Sequence, residues 1–280
     1  VVGSLAPTAS NLAISPSPAF KGSVLTRAYT YTDPDGQAEG ATTTRWFKDG
    51  IEQTALANAA TVPGANVLKG QSWTVKVKPC DSGGACGVEQ TSAALVVSNS
   101  LPAASAVTLT PAAPISTQNL QVTWSYADAD GDAQSGTEIR WLKNGVDQPG
   151  YLNLTTLPEA ATTKGDAWSV QIKPKDGVAF GTAVVSASVL ILNAPPTASL
   201  PVLVPALPRA TDTLQASWTY ADPDGDAQQN SEVRWFKNGV EVTALLNAPT
   251  VPSTQLAKGQ VWNFQVRPRD GVTLGAGVTS

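Results

Sequence analysis

The sequence predicts an all-β chain of three similar sandwich domains in tandem. Three observations predict it: an internal repeat of domain length, period-two alternation of apolar residues within each copy, and Asn-Gly or Asp-Gly turns between the alternating runs. The repeat is read from Tyr31-Thr-Asp33-Pro-Asp35-Gly36, Tyr126-Ala-Asp128-Ala-Asp130-Gly131 and Tyr220-Ala-Asp222-Pro-Asp224-Gly225, which lie 95 and then 94 residues apart. Arg45-Trp46-Phe47-Lys48, Arg140-Trp141-Leu142-Lys143 and Arg234-Trp235-Phe236-Lys237 keep both spacings, as do Trp73, Trp168 and Trp262. A period of this size is a whole domain, so the expected boundaries are 1–99, 100–193 and 194–280.

Each strand follows from its alternation. In the second repeat Leu120, Val122, Trp124 and Tyr126 share one face and Gln121, Thr123 and Ser125 the other. The third repeat copies this with Leu214, Ala216, Trp218 and Tyr220, and the first with Leu25, Arg27, Tyr29 and Tyr31, where Arg27 is the odd member. A later strand alternates Trp73, Val75 and Val77 with Thr74, Lys76 and Lys78. Between them Asp49-Gly50, Asn144-Gly145 and Asn238-Gly239 suit two-residue primed turns, since both positions need positive φ. About seven short strands per repeat, A, B, C, C′, E, F and G, with no helices, give an immunoglobulin-like β-sandwich. Strand B ends at Tyr31, C holds Trp46, F holds Trp73, and G runs from Ala93 to Ser98. With no cysteines on B and F, the core rests on aromatic burial.

Composition narrows the function. Charged residues make up 14% of the chain and the net charge is −4, so no basic stripe invites nucleic acid or an anionic membrane. There is no His, which removes the commonest general base, and no Gly-x-Ser-x-Gly elbow or phosphate-cradling loop before a helix. An enzyme is therefore not expected. No apolar run is long enough to span a membrane. Cys80 and Cys86 share one Gly-rich loop and are expected to form a small-ring disulfide, as in an exported protein.

The Tyr-x-Asp-x-Asp-Gly loop followed by Arg-Trp-Phe-Lys-Asn-Gly resembles the tandem immunoglobulin-like, cadherin-like or PKD-like repeats of large secreted and surface proteins of bacteria and archaea. The resemblance covers essentially the whole chain and implies a rod-like array at an extracellular or cell-surface location. The PKD hallmark Trp-Asp-Phe-Gly-Asp-Gly is absent.

Carboxylates cluster where the B–C and F–G loops should meet. The B–C loops carry Asp33 and Asp35, then Asp128, Asp130 and Asp132, then Asp222, Asp224 and Asp226; the F–G loops add Asp81, Asp176 and Asp270. These are 11 of the 22 acidic residues. Three readings compete. Crowded carboxylates could bind Ca²⁺, a hard cation tolerant of irregular oxygen ligands, at domain junctions. They could instead cap local backbone N–H groups, as Asp-Pro-Asp-Gly turns do. Or they could pair with Lys69 and Lys164 of the preceding domain. The first loop is the weakest metal candidate, because Gln37 replaces its third Asp.

Short joints, Asn99-Ser100-Leu101-Pro102 and Asn193-Ala194-Pro195-Pro196, imply stiff connections. Aligned on Pro7, Pro102 and Pro196, Val1-Val2 match Val96-Val97 and Leu190-Ile191, so residues 1–4 resemble the end of a preceding G strand. Ser280 aligns with Ser186, which leaves the last strand of the third domain incomplete. With no initiator Met, the favoured expectation is a window from a longer array. The alternative is that Val1-Val2 of one copy completes the third domain of another.

The function expected is a structural subunit or segment of an extracellular filament, stalk or sheath, associating with itself or with neighbouring repeats. The alternative is a surface adhesin or carbohydrate-binding array, in which Phe47, Leu142 and Phe236 face outward and stack on glycans or a protein partner.

Overall fold

A computed structural model describes residues 3–280; Val1 and Val2, matched above to the end of a G strand, lie outside the described residues. In the first repeat the strands are β1 (Thr8–Ser15), β2 (Leu25–Thr32), β3 (Thr43–Lys48), β4 (Ile51–Glu52), β5 (Thr61–Val62), β6 (Ser72–Lys78), β7 (Gln90–Thr91) and β8 (Leu95–Val96). The second repeat follows with β9 (Ala103–Thr110), β10 (Leu120–Ala127), β11 (Glu138–Lys143), β12 (Val146–Asp147), β13 (Thr156–Leu157), β14 (Ala167–Lys173), β15 (Val184–Val185) and β16 (Val189–Leu190). The third has β17 (Thr197–Val204), β18 (Leu214–Ala221), β19 (Glu232–Lys237), β20 (Val240–Glu241), β21 (Thr250–Val251), β22 (Trp262–Arg267) and β23 (Val278–Thr279).

These strands form six sheets, two per repeat. In the first repeat the orders are β1-β2-β5 and β4-β3-β6-β7, with β8 also on β6. Assigned to letters, that is A-B-E facing C′-C-F-G, an immunoglobulin-like sandwich. The second and third repeats reproduce both orders. The helical geometry among the described residues is confined to six three-residue 3₁₀ turns, such as Thr54–Leu56, which the strand pattern did not foresee.

By packing, the chain gathers into two compact units. One holds the chain through Ala104 together with Tyr126–Thr137 and Lys173–Thr182, that is, the first repeat with the B–C and F–G loops of the second. The other holds Ser105–Ser125, Glu138–Ile172 and Ala183–Ser280.

The core of each sandwich is built on the predicted tryptophans. Trp46 and Trp73 are fully buried, and their rings meet edge to face at 6.4 Å among Leu25, Val62, Val75 and Val97. Burial of an indole N–H demands a partner, and Trp46 Nε1 donates to the Ala59 carbonyl at 3.0 Å. Trp141 and Trp235 repeat this bond to Leu154 at 2.9 Å and Ala248 at 2.8 Å. In the third repeat Phe264 takes the place of Val75 and packs on Trp235 at 5.5 Å. Arg27, the odd member of β2, is half-buried and lays its guanidinium 5.0 Å from the Tyr29 ring centre.

The hairpins have the expected backbone: Asp49 and Gly50 sit at φ 50° and 80°, Asn144 and Gly145 at 51° and 80°, Asn238 and Gly239 at 53° and 79°. Asn58, Asn153 and Asn247 form a second repeated device at φ 59°, 62° and 59°. Their Oδ1 atoms accept from the backbone N–H of the second residue of strand C, Thr44, Ile139 and Val233. Asn153 thus has the same structural role as Asn58 and Asn247.

Strand G corrects the sequence reading. It begins at Gln90, not Ala93, and is interrupted at Ser92. There the side-chain hydroxyl accepts from Val75 N–H at 3.1 Å and donates to Ala93 O at 2.9 Å, replacing a rung of the backbone ladder. Ser186 breaks the second repeat's strand the same way, and Ser280 Oγ accepts from Phe264 N–H.

Candidate functional site: the acidic ends of the repeats

The B–C and F–G loops do meet, bridged backbone to backbone at Glu39 and Asp81, Ser135 and Asp176, and Gln229 and Asp270. In each cluster the first Asp serves its own turn. Asp128 Oδ1 accepts from the N–H of Asp130 at 2.8 Å and of Asp132 at 3.2 Å; Asp222 Oδ1 does the same for Asp224 and Asp226, and Asp33 Oδ1 for Asp35 and Gln37. This is Asx-turn chemistry.

The second Asp holds the incoming joint. Asp130 Oδ2 accepts from Ser100 N–H at 2.6 Å, Asp224 Oδ2 from Ala194 N–H at 2.7 Å, and Asp35 Oδ2 from Leu5 N–H at 2.7 Å. The third Asp meets a cation. Lys69 donates to Asp132 Oδ2 and, at 2.9 Å, to Asn99 Oδ1; Lys164 donates to Asp226 Oδ2 and, at 2.9 Å, to Asn193 Oδ1.

The F–G carboxylate is the deepest: Asp81, Asp176 and Asp270 are 1%, 8% and 8% exposed. Asp176 Oδ1 accepts from Val178 and Ala179 N–H at 2.7 and 2.6 Å, while Oδ2 accepts from Asn99 Nδ2 at 2.8 Å. Asp270 repeats this with Val272, Thr273 and Asn193. At Asp81 the joint residue is Ser4, whose hydroxyl donates to Oδ2 at 2.8 Å.

Asn99 and Asn193 are therefore central. Each accepts from the preceding repeat's lysine through Oδ1 and donates to the following repeat's F–G carboxylate through Nδ2. The sequence reading noted these joints for proline stiffness and missed the asparagines. The available signal was Asn at the same place, three residues before the aligned proline, in both joints.

Charge states follow from these bonds. Hydrogen bonds from Ala179 N–H and the Asn99 amide hold the Asp176 carboxyl at about 2. Burial works against the charged form of Asp270, yet the bonds from Thr273 and Asn193 outweigh it and keep that carboxyl low. The Ser4 hydroxyl likewise lowers Asp81. The bonds from Lys69 to Asp132 and from Lys164 to Asp226 raise both ammonium groups above their ordinary value. Carboxyls lowered by folding stabilise the chain above their unfolded value and lose that contribution as pH falls through the folded one. Raised lysines lose theirs only as pH climbs past their own raised values. The melting temperature is thus expected to be flat from about pH 5 to about pH 9 and to fall as pH drops from about 4 toward 2, which calorimetry across pH would check.

Two carboxylate groups have oxygens within 4.8 Å of one another: Asp128, Asp132 and Asp176, and Asp222, Asp224 and Asp226. Asp33, Asp35 and Asp81 form no such group among the described residues. Asp128 Oδ2 and Asp33 Oδ2 are buried acceptors without a hydrogen-bond partner.

Cys80 and Cys86 are joined by a disulfide that closes the first F–G loop beside Asp81. Phe47, Leu142 and Phe236 are half-buried on the outer face of strand C. The Phe47 ring is covered by Arg45, 5.6 Å from its centre, and Lys76, at 5.0 Å. The adjoining arginines are held in ion pairs within their own sheets: Arg45 with Glu52 and Glu89, Arg140 with Glu138 and Asp147, Arg234 with Glu232 and Glu241.

No family model matches the chain, and no curated protein is similar to it. Among solved structures it is similar to the FN1–FN3 domains of chicken CNTN1, at 11% identity and a TM-score of 0.30 over 99% of this chain and 98% of that one. Domains A168–A170 of titin match at 13% identity and a TM-score of 0.33, over 98% of each chain. A Ca²⁺-stabilized adhesin that helps an Antarctic bacterium bind ice matches at 16% identity and a TM-score of 0.32, over 99% of this chain and 73% of that one.

Proposed function

We propose that the chain is a load-bearing segment of an extracellular or cell-surface array, a filament, stalk or sheath, whose joints are locked by side chains of the protein itself. The observation that carries this reading is the recurrence of one clamp at both joints. A linker N–H enters the second Asp, a linker Asn bridges lysine and F–G carboxylate, and the preceding lysine meets the third Asp. Such a joint resists bending without an added ligand, because every partner is fixed to a sandwich or to a proline-limited linker.

Removing the ammonium tests it. Lys69→Met with Lys164→Met is expected to lower the melting temperature by a few degrees and to speed proteolytic cutting in the 99–102 and 193–196 joints. Asp132→Asn should add little to Lys69→Met, as partners in one network are not additive. Unchanged joint cleavage in the double variant would remove the clamp from the account.

The two close carboxylate groups favour a second reading, Ca²⁺ held by Asp128, Asp132 and Asp176 and by Asp222, Asp224 and Asp226, with the unpartnered Asp128 Oδ2 as a ready ligand. On that reading chelation would lower the melting temperature and Ca²⁺ would restore it. On the clamp reading neither treatment moves it.

A further inference from the structure

Strand C ends on a lysine in every repeat, and what meets that lysine differs from repeat to repeat. In the first repeat β3 turns Trp46 inward, so Lys48, two residues on, lies on the same side at the rim of the sandwich. It borders a corner between the 3₁₀ turns Thr54–Leu56 and Gly64–Asn66, framed by the ends of β3 and β6. The corner has a volume of about 380 Å³ and is lined by Gln53, Leu56, Asn66, Leu68 and Gln71 over the buried Trp73.

The second repeat fills the same corner with its own side chains. Tyr151, in place of Leu56, packs edge to face on Trp168 at 6.2 Å, and Asp166, in place of Gln71, pairs with Lys143 at 2.8 Å. In the third repeat Val242 replaces Gln53 and packs with the buried Leu245 against the core, while Lys237 lies 5.9 Å from the Trp262 ring centre. The first repeat has neither the added ring nor the carboxylate. Lys48 and Asn66 have no side-chain hydrogen bond or ion pair among the described residues. Gln71 Oε1 accepts from Leu68 N–H at 2.9 Å and Trp73 Nε1 at 3.1 Å, which leaves its amide N–H groups to offer. Gln53 Nε2 donates to Ile51 O at 2.9 Å, which leaves its Oε1. The carboxylates nearest in sequence are engaged elsewhere, Asp49 with Ser72 N–H and Glu52 with Arg45.

We propose that this corner of the first repeat binds a carboxylated sugar ring, a uronic-acid unit of an acidic polysaccharide. Small-molecule sites span about 300–1,000 Å³, and a corner at the low end of that range suits one ring rather than a helix or a strand. The carboxylate takes Lys48 as Asp166 takes Lys143, and the ring face lies on Leu56 and Leu68, where the second repeat places Tyr151. Ring hydroxyls donate and accept at once, which matches the Asn66 amide, the Gln71 N–H groups and Gln53 Oε1. An acidic side chain of a partner protein would use Lys48 and leave those amides idle. The inference goes beyond the structural reading above and does not depend on it: a polysaccharide held here would anchor the array in an acidic glycan layer.

The second repeat supplies the test, since its residues can be copied into the first. Titration of the 280-residue chain with trigalacturonate, followed by heteronuclear NMR, is expected to give saturable shifts at the side-chain amides of Asn66 and Gln71. Maltotriose, a neutral trisaccharide, and a Glu-rich hexapeptide should bind more weakly. Lys48→Met is expected to weaken trigalacturonate binding by about tenfold or more, the usual worth of a charge-assisted bond. Leu56→Tyr, which supplies the ring, and Gln71→Asp, which supplies the carboxylate, should each block the corner from within. The fold accommodates the second change, because Asp166 Oδ2 accepts from Thr163 N–H as Gln71 Oε1 does from Leu68 N–H. Lys143→Met, in the filled corner, is the control and should leave binding unchanged. No saturable binding by the parent chain, undiminished binding by Lys48→Met or Gln71→Asp, or equal binding of the neutral sugar or the peptide would each overturn the proposal. The clamp is read separately, from joint cleavage, so either result can fail alone.

Discussion

Trp46→Ala is expected to destabilise the first repeat by about 3–5 kcal/mol, the usual range for deleting a buried aromatic. Trp46 is fully buried, packs edge to face on Trp73, and has its indole N–H on the Ala59 carbonyl. The variant removes one of the two largest side chains between the sheets, breaks an aromatic pair and orphans a carbonyl at once. A chain of several sandwiches does not unfold in one step, so the expected signature is an early transition that separates from the rest in denaturant. The tryptophans of the third repeat should report an unmoved late transition. Trp46→Phe, which keeps the ring contact and loses only the N–H bond, should cost much less. Equal losses for the two variants would contradict the packing account.

Gly181→Ala is expected to be the most damaging one-methyl change at a joint. A Cβ at Gly181 would lie 1.8 Å from Pro102 O, 2.9 Å from Pro102 C and 3.1 Å from Pro174 Cγ. The nearest atoms are joint backbone, which cannot swing aside as a side-chain tip can. Gly87 against Pro7 O at 1.8 Å and Gly275 against Pro196 O at 2.0 Å repeat the contact. Overpacking of this kind costs about 1–3 kcal/mol, and here it must push the F–G loop off the linker and strain the Asp176–Asn99 bond. Gly150→Ala, which meets nothing within 4 Å, is the matched control and should be close to neutral. Melting temperature and proteolytic cutting at 99–102 would separate the two variants. Indistinguishable behaviour would mean that the joint is looser than the contact implies.

Much of the fold was legible because it is written in local periodicity. Alternation placed β2, β6, β10, β14, β18 and β22, the Asn-Gly and Asp-Gly pairs placed the C–C′ turns, and the tryptophans marked the core. Strand G was harder, because Ser92 and Ser186 interrupt it by lending a hydroxyl to a strand 16 or 17 residues earlier. Nothing in a serine's neighbours shows that it will do so. At the acidic ends, Asp128 and Asp222 could be read from turn chemistry alone, whereas Asp130, Asp176 and their equivalents serve partners 30 and 77 residues distant. Asn99, Asn193 and Gly181 looked like ordinary linker and loop residues, since their roles exist only once two repeats touch.

The sequence by itself determined the threefold repeat, the sandwich class, the buried tryptophans and the gathering of carboxylates at one end of each repeat. These follow from period, turn chemistry and the need to bury one face of a strand. Only the tertiary structure shows which groups of the protein approach the carboxylates. It put a linker N–H, a preceding lysine and a linker amide within hydrogen-bond reach of the second Asp, the third Asp and the F–G Asp of a cluster, respectively. Of the readings of this acidic motif, turn capping is local and legible in the motif itself, whereas pairing with a preceding lysine or a linker amide is a matter of spatial approach that no local pattern encodes.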